Sequence, residues 1–191
     1  MVRAMSEMTE RFERAAGGFD QTIRSVPSDK WGAPSPCERW TARDVVGHVV
    51  RNYRTMATQG GGGEAPGTGT AEMGVDEDPV EAWTAAYHRM QTLTRDPEAL
   101  ARPVPGPGGT VPLEQAMGTL ISMDTNVHKW DLARAAGVDE TLDPELVQMT
   151  RQMLEPMDAM IRRDGVFGPK LDPPPGADEQ TSLLYFLGRR A

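Results

Sequence analysis

Apolar residues recur along this chain at helical spacing, and strict alternation is absent from its long apolar segments. Phe12, Ala15, Ala16, Phe19 and Ile23 put one apolar stripe on a first helix from about Ser6 to Ser25. Pro27, Gly32, Pro34 and Pro36 break the pattern, with Trp31 and Trp40 bracketing the loop and pinning it to the core. Thr41-Ala-Arg-Asp44 reads as a capping-box variant opening a second helix, which runs to about Thr58. Val45, Val46, Val49, Val50, Tyr53 and Met56 form its apolar face. A third helix spans Pro79 to Arg95, with Val80, Trp83, Ala86, Tyr87, Met90 and Leu93 turned inward. The Pro- and Gly-rich stretch 97–112 predicts an extended excursion with a short hairpin around Gly108-Gly109. A fourth helix begins at Pro112 or Leu113 and stops at Gly137. Asp143-Pro144 opens a fifth, to about Arg163, with a kink expected at Pro156. Thr181 to Leu187 forms a short final helix.

This order of elements predicts an all-α fold: an up-and-down four-helix bundle with additional C-terminal helices and long Gly/Pro-rich loops. A single domain over residues 1–191 is the expected organisation, since no repeat or composition break divides the chain.

One stripe is interrupted by polar residues. Leu113, Met117, Leu120, Ile121, Leu132 and Ala135 share a face of the fourth helix, and Asp124 and His128 fall at the same phase. A carboxylate and an imidazole one turn apart project side by side. Turned toward a core, they need compensation, and a metal ion supplies it. A hydrogen-bonded pair accounts for them as simply, because Asp-x-x-x-His arises easily by chance.

Charge and composition narrow the function classes. The net charge is −8, with a pI near 4.9. An acidic surface argues against nucleic acid or an anionic membrane as partner. No apolar run reaches bilayer length, and the N-terminus lacks a signal-peptide core. The lone cysteine, Cys37, rules out an internal disulfide and fits a cytoplasmic setting. The Gly-rich loop at 59–77 lacks the Gly-Lys-Ser/Thr ending of a phosphate-binding loop and reads as a connection.

The remaining histidines are His48, at the edge of the second helix's apolar face, and His88 in the third. Either could add a third ligand from a facing helix, as bundle metal sites do. Asp44 and Asn52 flank His48 by one turn and equally mark a solvated boundary. His88 reads as exposed or merely packed. Cys37 beside Arg39 could be a nucleophile, but no base stands beside it in sequence, so a packed thiol is the simpler reading. Ser122 and Thr125 show no nucleophile elbow, and the Met-rich fifth helix reads as core filling.

Two segments carry a family resemblance. Trp40-Thr41-Ala-Arg-Asp44-Val45-Val46-Gly47-His48-Val49 resembles the helix-two signature of the DinB-like superfamily, and within it the mycothiol-dependent maleylpyruvate isomerase N-terminal domain group. Asp124-Thr-Asn-Val-His128-Lys-Trp130-Asp131-Leu132-Ala133 resembles that group's second metal motif. Phe167-Gly168-Pro169 and the ending Leu183-Leu184-Tyr-Phe-Leu187-Gly188-Arg189 are similar to the tail of its small actinobacterial members. The resemblance implies a divalent metal at one end of the bundle and carries ligand roles onto His48, Asp124 and His128. It departs in two places: the isomerase has Glu where this chain has Asp124, and it continues into a further C-terminal domain. The site is therefore expected to transfer better than the reaction.

Two imidazoles and a carboxylate suit zinc, with nickel and iron compatible. Three protein ligands leave a position open for water or a thiolate. The expected function is a thiol-dependent transferase or isomerase, with mycothiol as cosubstrate and an electrophilic small molecule as partner. A metal-water hydrolase, a non-catalytic or stress-related metal-binding module, and a plain helical oligomerisation module are the alternatives. A homodimer is compatible with all of them.

Overall fold

A computed structural model of the chain describes residues 5–61, 73–74, 76–106, 109–162 and 167–191. Most of the expected Gly-rich connection, the hairpin tip at Gly108, and the end of the fifth helix at Arg163 lie outside them. The chain falls into two compact units, Met1–Glu140 and Thr141–Ala191.

The first unit is the four-helix bundle. Helix α1 (Glu7–Ser25) starts where the Ser6 side chain accepts from the Thr9 N–H. Helix α2 (Ala42–Gln59) has the anticipated capping box, with Thr41 and Asp44 each accepting from the other's backbone N–H. Helix α3 (Pro79–Thr94) is capped by Asp78, and Pro79 sits in its first turn, where a missing N–H costs nothing. A one-turn helix α4 (Pro97–Leu100), not anticipated from the pattern, precedes the hairpin. Strands β1 (Pro103–Gly106) and β2 (Gly109–Pro112) pair antiparallel, with Gly106 opposite Gly109. The fourth long helix has three parts: α5 (Leu113–Ala116), a π-helical turn at Met117–Ile121, and α6 (Ser122–Ala136). Gly137 ends it in the left-handed conformation at φ 72°.

Aromatic rings fill the bundle centre. Trp83 lies 4.8 Å from Phe19, 4.8 Å from Tyr53 and 5.3 Å from Tyr87, centroid to centroid. Trp31 and Trp40 pack against this core from the loop between α1 and α2, as their spacing predicts. The π turn is the one irregularity inside a long helix. It sits where α1 comes closest: a Cβ on Gly118 would lie 2.6 Å from Met8 Cα. The Met117 carbonyl accepts the Ser122 backbone N–H across the widened turn and also the Ser122 hydroxyl at 2.7 Å.

The second unit is smaller. Helix α7 (Pro144–Leu154) is capped by Asp143 and gives way at Glu155-Pro156-Met157 to a 3₁₀ turn, the break expected at Pro156. Short α8 (Asp158–Ile161) follows, and α9 (Glu179–Phe186) packs on α7. The Asp178 cap starts α9 two residues before the anticipated Thr181.

Replacing Gly118 with Ala puts a methyl into α1 backbone, which cannot rotate away. We expect a loss of about 1–3 kcal/mol in urea unfolding. A second link is titratable. Trp83 Nε1 donates to Asp20 at 3.0 Å, and Arg24 Nε donates to its other oxygen at 2.8 Å. Burial pushes the Asp20 carboxyl up, but the bonds from Arg24 and Trp83 outweigh it and lower its pKa. Asp20→Asn should therefore cost about 1 kcal/mol at neutral pH. The gap to wild type should narrow as the pH falls from about 4, the unfolded carboxyl's range, and close below the lowered pKa of folded Asp20, where protonation removes the same interactions.

Candidate metal centre

Two helices each supply two polar residues one turn apart. Helix α2 presents His48 and Asn52, and α6 presents Asp124 and His128. Asp124 Oδ1 lies 3.2 Å from His48 Nε2 and 3.5 Å from His128 Nε2. One ligand atom from each of the three residues falls within 4.8 Å of the others. The sequence-derived triad is thus brought together, although its members lie 76 residues apart at the widest step between helices. His88 is exposed on α3 and has no place in this cluster.

The carboxylate is held charged. Burial pushes Asp124 up, but the His128 charge and the hydrogen bonds from both rings overcome it, leaving it well below the usual carboxylate range. Asn52 Nδ2 donates to its second oxygen at 2.9 Å. Burial also works against protonated His128, yet Asp124, then Asp131 and Cys37, hold its pKa well above the ordinary imidazole value. The Asp124 side chain keeps a quarter of its surface open. That opening gives the site a mouth.

Trp40 forms one wall, with its ring 5.1 Å from His48 and 5.8 Å from His128. The loop carrying it is fixed by a bridge between Pro34 and Thr41 and by Arg39 in a left-handed conformation, φ 65°. The same loop delivers Cys37. Its thiol donates to Asp131 Oδ2 at 3.4 Å, and the same oxygen accepts from His128 Nδ1 at 2.9 Å. Cys37 therefore has a carboxylate beside it that sequence reasoning did not find. Asp131 is fully buried and was read only as part of a motif. Its signal was the three-residue step from His128, which places both on one helix face. Arg51 also joins the site, its guanidinium 2.9 Å from His48 Nδ1. Tyr53 turns into the core and meets Thr125 at 3.1 Å, so neither Tyr53 nor Thr125 is available to substrate. Ser122 is likewise taken up by the π turn.

The donor set suits a divalent cation. Two imidazole nitrogens and one carboxylate oxygen converge, a further carboxylate backs one ring, and a quarter-open carboxylate leaves room for another ligand.

Comparison with known proteins identifies the fold and the family. Two Mycobacterium tuberculosis sequences, described as uncharacterized proteins of strains H37Rv and CDC 1551, are each 28% identical over 192 residues, covering 93% of this chain and 94% of the relative. The crystal structure of a histidine-to-alanine mutant of the mycothiol-dependent maleylpyruvate isomerase shares the fold, with a TM-score of 0.54 at 16% identity over 82% of this chain and 70% of that one. The sequence profile of the mycothiol maleylpyruvate isomerase N-terminal domain matches residues 12–133, a span containing His48, Asp124, His128 and Asp131. By that match over most of its length, the chain belongs to the mycothiol maleylpyruvate isomerase N-terminal domain family.

Proposed function

We propose that His48, Asp124 and His128 hold a divalent metal, zinc before nickel or iron, and that the site serves a thiol-dependent transferase or isomerase. Mycothiol is the thiol that the family name and the solved neighbour suggest. A small electrophile is the second substrate, and a cytoplasmic setting suits both. The observation that carries this reading is the convergence of three ligand atoms within 4.8 Å at a partly open carboxylate.

A bound divalent cation there would favour the thiolate of an incoming thiol at neutral pH. The chain's own residues do the rest. Asp124 supplies the one carboxylate of the triad, and Asn52 fixes its second oxygen. Trp40 covers both imidazoles with an apolar face and keeps water off that side. The Arg51 guanidinium beside His48 is placed to meet an anionic group on a substrate. Maleylpyruvate isomerisation itself is not assigned, since Asp124 stands where the isomerase carries Glu.

Protein purified without an affinity tag should carry about one metal per chain, and chelation should lower its unfolding temperature. His128→Ala should lose the metal; full retention would show that the ligands lie elsewhere. A panel of electrophiles should be converted with mycothiol and not with its des-thiol analogue. Equal product with both would exclude a thiol mechanism.

A further inference from the structure

The two imidazoles differ in what stands behind them. His128 Nδ1 meets the buried carboxylate of Asp131 at 2.9 Å. A carboxylate accepts, so this nitrogen carries the proton. His48 Nδ1 meets the Arg51 guanidinium at 2.9 Å. A guanidinium only donates, so this nitrogen is bare. On each ring the partner of one nitrogen dictates the state of the other.

The consequences are opposite. In the neutral ring, Nδ1 protonated and held leaves Nε2 as the only ligand atom of His128, and that atom faces Asp124 at 3.5 Å. With Nδ1 occupied by Arg51, a neutral His48 carries its proton on Nε2, where Asp124 Oδ1 accepts it at 3.2 Å. Asn52 Nδ2 also lies 3.0 Å from this nitrogen, so Nε2 has a donor and an acceptor beside it and fits either state. Arg51 settles which one. A proton on Nε2 hides the lone pair that a metal would need.

We infer that Asp131 and Arg51 are opposed positioning residues of the metal site. Asp131 presets His128 for the ion, and Arg51 holds His48 in the tautomer that refuses it. Metal entry then requires His48 to move its proton from Nε2 to Nδ1 and to release the guanidinium. Arg51 also adds a positive charge that repels a cation. Cys37 belongs to the supporting side: its thiol donates to the same Asp131 oxygen and fixes that carboxylate toward the ring. Carboxylates behind ligating histidines support affinity in this way. A histidine ligand held in the wrong tautomer by an arginine is the less ordinary half of the arrangement.

The inference rests on the metal reading above, and the experiment separates the two. Zinc affinity is measured by competition with a chromogenic chelator for wild type, Asp131→Asn and Arg51→Met. In parallel, the ring ¹⁵N resonances of metal-free protein report which nitrogens carry protons. Asp131→Asn should bind zinc about 10–100-fold more weakly. Arg51→Met should bind it roughly tenfold more tightly. The spectra should show His128 Nδ1 protonated and His48 Nδ1 bare in wild type, with the His48 proton redistributed in Arg51→Met. Affinity changes of the same sign in both variants would indicate general loosening and overturn the inference. So would matching Nδ1 states in the two rings. Wild type that binds no zinc would refute the metal reading and take these roles with it, whereas zinc binding with matching ring states or same-sign affinity changes would overturn this inference alone.

Discussion

Asp124 must remain ionised while most of its side chain is covered, and much of the bundle is arranged around that requirement. Its charge is balanced by His128 on its own helix and by His48 and Asn52 from α2. The contacts tie α2 to α6 at a fixed register. One residue further along each helix, Tyr53 and Thr125 meet inside the core at 3.1 Å. Adjacent residues on both helices therefore bridge the same interface twice, once at the polar mouth and once among the aromatic rings. A slip of one residue in either helix would bury the carboxylate against apolar side chains and strand the Tyr53 hydroxyl. Both outcomes are costly.

How much of this was written in the sequence depends on the kind of spacing involved. The pair Asp124 and His128 was legible because helical periodicity places residues four apart on one face. His48 was legible only as an oddity at the edge of an apolar stripe, and its resemblance to a known motif supplied the rest. Asn52 was read as a boundary marker, and it does mark the boundary, but as a donor to Asp124 rather than a solvated residue. Cys37 was legible as a candidate nucleophile or a packed thiol, but its carboxylate partner was not. Its approach to Asp131 depends on a loop path set by Arg39 at φ 65° and the Pro34–Thr41 bridge, and nothing in local periodicity encodes that path. The π turn was equally hidden. Met117–Ile121 has the composition of plain helix, yet one extra residue per turn lets Gly118 fall against Met8 while Leu120 is only part-buried.

The family match and the site cover the same ground. Residues 12–133 hold every member of the triad and the groups behind it, while the unit from Thr141 onward lies beyond the match. The Asp that the resemblance sets against a family Glu is one methylene shorter, yet its side chain lies 3.2 Å from the His48 ring and 3.5 Å from the His128 ring. Inheritance of the donor set is thus compatible with the substitution, whereas the fit of a particular substrate depends on the walls around the mouth.

A divalent ion would set the charge at that mouth against the charge over the whole chain. The protein carries a net −8, which at long range would repel an anionic substrate. Screening at physiological salt confines that repulsion to roughly 8 Å from each surface charge. Within that distance of the site, Arg51 and a protonated His128 stand against two carboxylates, Asp124 and the buried Asp131, so the charges of the metal-free site balance. A divalent ion against those two carboxylates, with both imidazoles neutral and Arg51 beside them, would leave a net positive charge in place. With the ion bound, the local field would favour an anion. This is the condition that a thiolate or a carboxylate-bearing electrophile needs, and an acidic metal-storage surface would lack it.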